Sequence, residues 1–177
     1  MAKYVAFLRG MNLGGRRLGN DELCAAFEAI GMAEVSAFLA SGNVVFEGSG
    51  SAAALKKRLE KGLEAELGYP VPTFLRSAKA VRALAESQPF ADRGADNGGK
   101  PQIAFLEGKP SAKAAAAVRA LETDEDWLAL EGTELHWWPA GGISQSELDW
   151  KAVEKTVGGT TVRTRNTVVR LVKKFLG

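Results

Sequence analysis

The sequence predicts an α+β protein made of two βαββαβ halves, each an antiparallel sheet with helices packed on one face, plus a C-terminal helix. Three observations lead there. Short apolar runs of strand length alternate with segments whose apolar residues recur at helical spacing. Glycine, serine and asparagine punctuate the joins between them. The element order strand, helix, strand, strand, helix, strand can be read twice along the 177 residues, and it is the order of a ferredoxin-like split unit.

In the first half, Val5, Ala6, Phe7 and Leu8 mark a strand over residues 3–8. Asn20 can cap a helix whose Leu23, Phe27 and Ile30 share one face, and Gly31 stops it. Residues 35–40 and 44–47 read as two strands around a turn of Ser41, Gly42 and Asn43. Leu55, Leu59, Leu63 and Leu67 line one face of a second helix closed by Gly68, and residues 72–76 supply the last strand.

The second half repeats this order. Ala78, Val81, Leu84 and Ala85 predict a connecting helix, followed by a polar, glycine-containing loop over residues 92–100. Residues 102–107 read as a strand, 111–121 as an alanine-rich helix, and 127–130 with 134–138 as strands paired around Gly132 and Thr133. Ser144 with Glu147 offers a capping box for a helix running to Val157. A strand over residues 160–163 and a closing helix over 166–175 complete the half. The expected organisation is a first half over residues 1–77, a connecting helix and loop over 78–100, and a second half with the C-terminal helix over 101–177. The repeated order implies a duplication, although residue identity between the halves is weak.

With 46% hydrophobic and 25% charged residues, the composition is that of a globular domain long enough to bury a core without disulfides or metals. Cys24 is the single cysteine, so no disulfide forms within the chain. The net charge of +2 is far from the clustered excess of a dedicated nucleic-acid binder. The ferredoxin-like sheet is also an RNA-recognition scaffold, but Val44 and Val45 stand where stacking rings are needed beside Tyr4, Phe7 and Phe46. Nucleic acid is therefore not expected as a specific partner. No apolar run approaches the roughly 18 residues that span a bilayer, and the start of the chain lacks a signal-peptide core, so the expectation is a cytoplasmic protein without membrane contact.

The stretch over residues 9–18 follows the first strand and carries Arg9, Asn12, Gly14, Gly15, Arg16 and Arg17. Arginine and asparagine supply charge and an amide, while adjacent glycines let backbone N–H groups approach a ligand, so this is a candidate anion-binding loop. In a βαββαβ unit the first and third strands are antiparallel neighbours. That topology brings the loop to the same sheet edge as Ser41, Gly42 and Asn43. The candidate ligand-binding set is thus Arg9, Asn12, Gly14, Gly15, Arg16, Ser41 and Asn43. A secondary candidate is Arg163, Asn166 and Thr167, at a strand leading into a helix that Asn166 or Thr164 can cap.

No catalytic constellation accompanies these residues, and neither the phosphate-loop spacing nor the dinucleotide fingerprint is present. His136, within Leu135, His136, Trp137 and Trp138, has no histidine or cysteine partner for a metal set, so neither metal nor cofactor is expected. Trp127, Trp137 and Trp138 are expected to fill the core between sheet and helices; alternation puts Trp137 and Trp138 on opposite faces, which leaves an interface between halves or a dimer contact as the alternative for one of them.

Three segments resemble the family catalogued as domain of unknown function 1697. They are Ala6 through Gly15, with Arg9, Gly10, Met11 and Asn12 at its centre; Ser41, Gly42, Asn43, Val44, Val45 and Phe46; and Thr161, Val162 and Arg163 with Asn166, Thr167 and Val168. They occur in the expected order and span nearly the whole chain. The resemblance implies a compact α+β protein of two ferredoxin-like halves and no established activity. The family commonly carries an Asn-Trp pair where this chain has Thr164 and Arg165. The functional expectation is binding of an anionic small molecule, a nucleotide or phosphorylated metabolite. The alternatives are a non-catalytic protein-interaction module and, third, non-specific nucleic-acid contact through the arginine clusters.

Overall fold

The computed structural model describes residues 1–11, 18–40, 42–94 and 96–177. They form two compact units, one of Met1–Leu84 with Leu171–Gly177 and the other of Ala85–Arg170.

The first unit contains β1 (Ala2–Leu8), α1 (Asn20–Ala29), β2 (Ala33–Phe38), β3 (Asn43–Gly48), α2 (Ala52–Leu67) and β4 (Thr73–Ser77), with α3 (Ala78–Glu86) following. Its strands run in the order β2-β3-β1-β4, every neighbour antiparallel. Leu55, Leu59 and Leu63 of α2 are buried in one core with Leu23 and Phe27 of α1 and with Ala6, Leu8, Val44 and Phe46 of the sheet. The Phe27 and Phe46 rings meet edge to face at 5.5 Å. The Ser51 hydroxyl caps α2 by accepting from the Ala54 N–H at 3.2 Å, and Gly68 ends the helix at φ +82°.

Two local expectations differ. Asn20 is the first residue of α1 rather than its cap; the extended Gly19 takes that place, without a side-chain hydrogen bond. The β2–β3 turn falls earlier than expected, because Asn43 already pairs with Phe38 in the ladder. Phe175, from the C-terminal segment of this unit, packs edge to face on Phe38 at 5.8 Å.

The second unit contains β5 (Gln102–Leu106), α4 (Ala112–Arg119), β6 (Asp126–Glu131), β7 (Glu134–Pro139), α5 (Trp150–Val157), β8 (Thr160–Thr164) and α6 (Arg165–Leu171). The order β6-β7-β5-β8, again antiparallel throughout, matches that of the first sheet. Ala104, Leu106, Leu128, Leu135 and Trp137 face Val118 and Val153 of the helices.

Ser144 and Glu147 do not form a helix cap. Residues Ile143–Gln145 make a 3-10 turn, and α5 begins later, where an Asp149 carboxylate oxygen accepts from the Ala152 N–H at 3.0 Å. Of the three tryptophans expected in the core, only Trp137 joins it, stacked on Trp150 at 5.0 Å. Strand alternation turns Trp138 to the other face, where it clusters with Trp127 and Phe90. Among the described residues, no helix is long and apolar enough to cross a membrane.

Candidate functional site

At the end of β1 the two stretches singled out in the sequence meet. The Leu8 N–H donates to the Gly42 carbonyl at 2.9 Å, directly after the Phe7–Asn43 pair of the β1–β3 ladder. Gly42 has φ +80°, and a Cβ there would lie 2.7 Å from Met11 Cγ and 3.1 Å from Leu8 Cβ. Only glycine satisfies both the backbone conformation and the closeness of the approach. Arg9 is half-buried; its N–H donates to the Pro72 carbonyl at 3.0 Å, and Gly10 turns the chain at φ +76°.

Asn43 does not face this edge. It is fully buried, and its Nδ2 donates to the Phe38 carbonyl at 2.9 Å, so the amide satisfies the hairpin rather than a ligand. Asn12, Gly14, Gly15, Arg16 and Ser41 lie outside the described residues.

The secondary candidates belong to the second unit and serve local structure. Arg163 is buried, and its Nη1 donates to Thr161 Oγ1 at 2.8 Å and to the Val162 carbonyl at 2.9 Å. Burial pulls its pKa down to about 10. Thr164, not Asn166, caps α6, accepting from the Thr167 N–H at 3.1 Å. Asn166 is exposed on that helix of 7 residues.

The second unit also holds a site that sequence reasoning did not assemble. A cavity of about 320 Å³ is lined by Phe90, Asp96, Gln102, His136, Trp138 and Arg165, among others. His136 is 2% exposed, and its Nε2 makes no hydrogen bond; the nearest carboxylate oxygen, Glu131 Oε1, is 3.4 Å away. Burial holds the imidazole pKa below its ordinary 6.5, against the pull of Glu131 and Glu134, and the Arg165 charge acts in the same direction as burial. Arg165 Nη2 donates to the Ala85 and Ser87 carbonyls at 2.8 and 2.9 Å.

The loop beside the cavity is pinned by Asn97 Nδ2, which donates to the Glu125 and Trp138 carbonyls, and by Trp138 Nε1, which donates to the Gly99 carbonyl at 2.7 Å. His136 and Trp138 sit two apart on one strand, and that alternation was the only local signal of the cavity. Phe90 and Arg165 arrive from distant segments. Among the described residues, no group of three histidine, cysteine or acidic side chains is placed to hold a metal ion.

The family described as "Protein of unknown function (DUF1697)" matches residues 1–136. The chain belongs to that family. The DUF1697 match takes in the whole first sheet and runs on to His136 in β7. A solved structure, "conserved bacterial protein SP0830 from Streptococcus pneumoniae", is similar over 100% of this chain and 99% of that one, with a TM-score of 0.76 at 20% identity. At that identity the likeness is one of fold. No curated protein matches the chain.

Proposed function

We propose that the protein binds an anionic small molecule, a nucleotide or phosphorylated metabolite, at the edge of the first unit where Arg9 leaves β1 beside Gly42. The observation that carries the reading is the bond from the Leu8 N–H to the Gly42 carbonyl at 2.9 Å, with Met11 closed against the same glycine. It joins two segments far apart in the chain into one rim. Arg9 supplies positive charge there, and Gly10 at φ +76° opens the backbone for close approach. Asn12, Gly14, Gly15, Arg16 and Ser41 complete the proposed ligand set. Helix α1 follows this loop, and Gly19 at its start is extended and makes no side-chain cap bond, so the helix N-terminus is a second source of N–H donors in this reading. Asp21 and Glu22 in its first turn favour a ligand whose charge lies toward Arg9 rather than over the helix.

Phosphate-bearing compounds should raise the melting temperature of the protein. Arg9→Ala should remove most of that rise, because losing one charge-assisted contact weakens binding by about tenfold or more. Each variant is compared with its own ligand-free melting temperature. A panel of nucleotides and sugar phosphates that produces no rise in the parent protein overturns the reading.

A further inference from the structure

We propose that the cavity of the second unit is a binding site for a small planar aromatic acid, seated against Phe90 and Trp138 with its carboxylate on Arg165 and a ring or carboxylate atom on His136. This inference is independent of the Arg9 edge and concerns different residues in a different unit.

Size comes first. At about 320 Å³ the cavity lies at the lower end of ligand sites and holds about ten waters' worth of liquid, which suits a ring system with one short substituent. Its wall is aromatic and fixed in advance. Trp138 is held by its Nε1 bond to the Gly99 carbonyl at 2.7 Å and by ring contacts to Phe90 at 5.9 Å and Trp127 at 5.7 Å. A flat ring therefore meets a flat surface that does not have to be ordered on binding.

The polar groups are placed for a ligand as well. His136 Nε2 is a buried nitrogen without a hydrogen-bond partner, on a residue that lines the cavity. Such orphaned groups are rare in folded proteins, and a polar atom of a ligand in the cavity would satisfy this one. Glu131 Oε1 lies 3.4 Å from this nitrogen without meeting it in a hydrogen bond, and the same oxygen accepts from the Ser87 hydroxyl at 3.0 Å. The two carbonyls that accept from Arg165 both take Nη2, which fixes the guanidinium beside the cavity and leaves Nη1 and Nε for an anion. Asp96, whose Oδ1 accepts from the Gly98 N–H at 2.6 Å, also lines the cavity, so like-charge repulsion directs the acid group of a ligand to Arg165. Gln102 donates its amide to the Lys100 carbonyl at 3.1 Å and keeps its oxygen for a ring N–H.

The test uses the full chain and the imidazole NMR resonance of His136, the only histidine in the sequence. Indole-3-carboxylate, nicotinate and benzoate are titrated against the amides of the same rings and against cyclohexanecarboxylate. At least one aromatic acid should shift the His136 resonance saturably, with its amide and the saturated acid about tenfold or more weaker. Arg165→Gln should reduce acid affinity by a similar factor and amide affinity by clearly less. Arg165→Lys, which keeps the charge, should restore acid binding to within a few-fold. Arg9→Ala should leave the His136 response untouched, which separates this site from the Arg9 edge. No saturable shift with any acid at millimolar concentration, or equal affinity for acids and amides, overturns the proposal.

Discussion

Asp126→Ala should lower the melting temperature by about 10 °C. The carboxylate lies at the start of β6, 2% exposed, and gathers three side-chain donors. Trp137 Nε1 donates to Oδ1 at 2.9 Å, the Ser146 hydroxyl donates to Oδ1 at 2.6 Å, and the Thr123 hydroxyl donates to Oδ2 at 2.8 Å. Alanine removes the acceptor for all three at once. Losing charged hydrogen bonds and orphaning a buried indole N–H costs about 4 kcal/mol, and a chain of this length shifts by roughly 2–4 °C per kcal/mol.

The same bonds give a pH signature. Burial alone would raise the Asp126 pKa, but the hydrogen bonds from Ser146, Trp137 and Thr123 outweigh it and hold the group below its ordinary 3.8. A carboxyl whose pKa is depressed by folding stabilises the protein above its unfolded pKa. That contribution disappears as pH falls through the folded value. The gap in stability between the parent protein and Asp126→Ala should therefore be full at neutral pH and narrow below about pH 4. Thermal melts from neutral to acidic pH check both statements, and a variant that melts within about 2 °C of the parent at neutral pH contradicts them.

Gly99→Ala should cost about 3 kcal/mol, seen as a melting temperature lower by about 6–12 °C. A Cβ on Gly99 would overlap the Pro139 carbonyl oxygen and lie 2.9 Å from that of Ala140. The obstacle is backbone, and the Ala140 N–H is itself held by the Glu125 carbonyl at 2.8 Å, so neither side yields cheaply. The loop would have to lift, breaking the bond from Trp138 Nε1 to the Gly99 carbonyl and the two carbonyl contacts of Asn97. Gly108→Ala is the control: no atom lies within 4 Å of its added Cβ. It should stay within about 0.5 kcal/mol of the parent. Equal melting temperatures for the two variants contradict the clamp.

What could be read without coordinates was whatever depends on neighbours in the chain. The leucine stripe of α2 and its Gly68 stop are local patterns with local causes. The meeting of Leu8 with Gly42 was also readable, because the βαββαβ order requires β1 and β3 to be adjacent. The errors arose where a distant partner outbid a local one. Ser144 and Glu147 spell a capping box, yet the chain there is organised by Ser146, whose hydroxyl donates to Asp126 across the unit. Asn43 carries turn chemistry, but its amide is needed inside the hairpin. Alternation along β7 already separates Trp137 from Trp138, but the partner of the second face, the loop carrying Phe90 that packs on Trp127 and Trp138, comes from a distant segment. The cavity shows the limit most clearly. His136 and Arg165 are ordinary residues in their own segments, and only the sheet brings them to one wall.

The rim at the end of β1 is tested most directly by following the backbone amide resonances of Leu8, Arg9, Gly10, Met11 and Gly42 while a nucleoside triphosphate is added. Binding there predicts that the strand-end amides and Gly42 shift together along one saturation curve. Amides that stay in place, or a response in one segment without the other, would contradict a shared anion site.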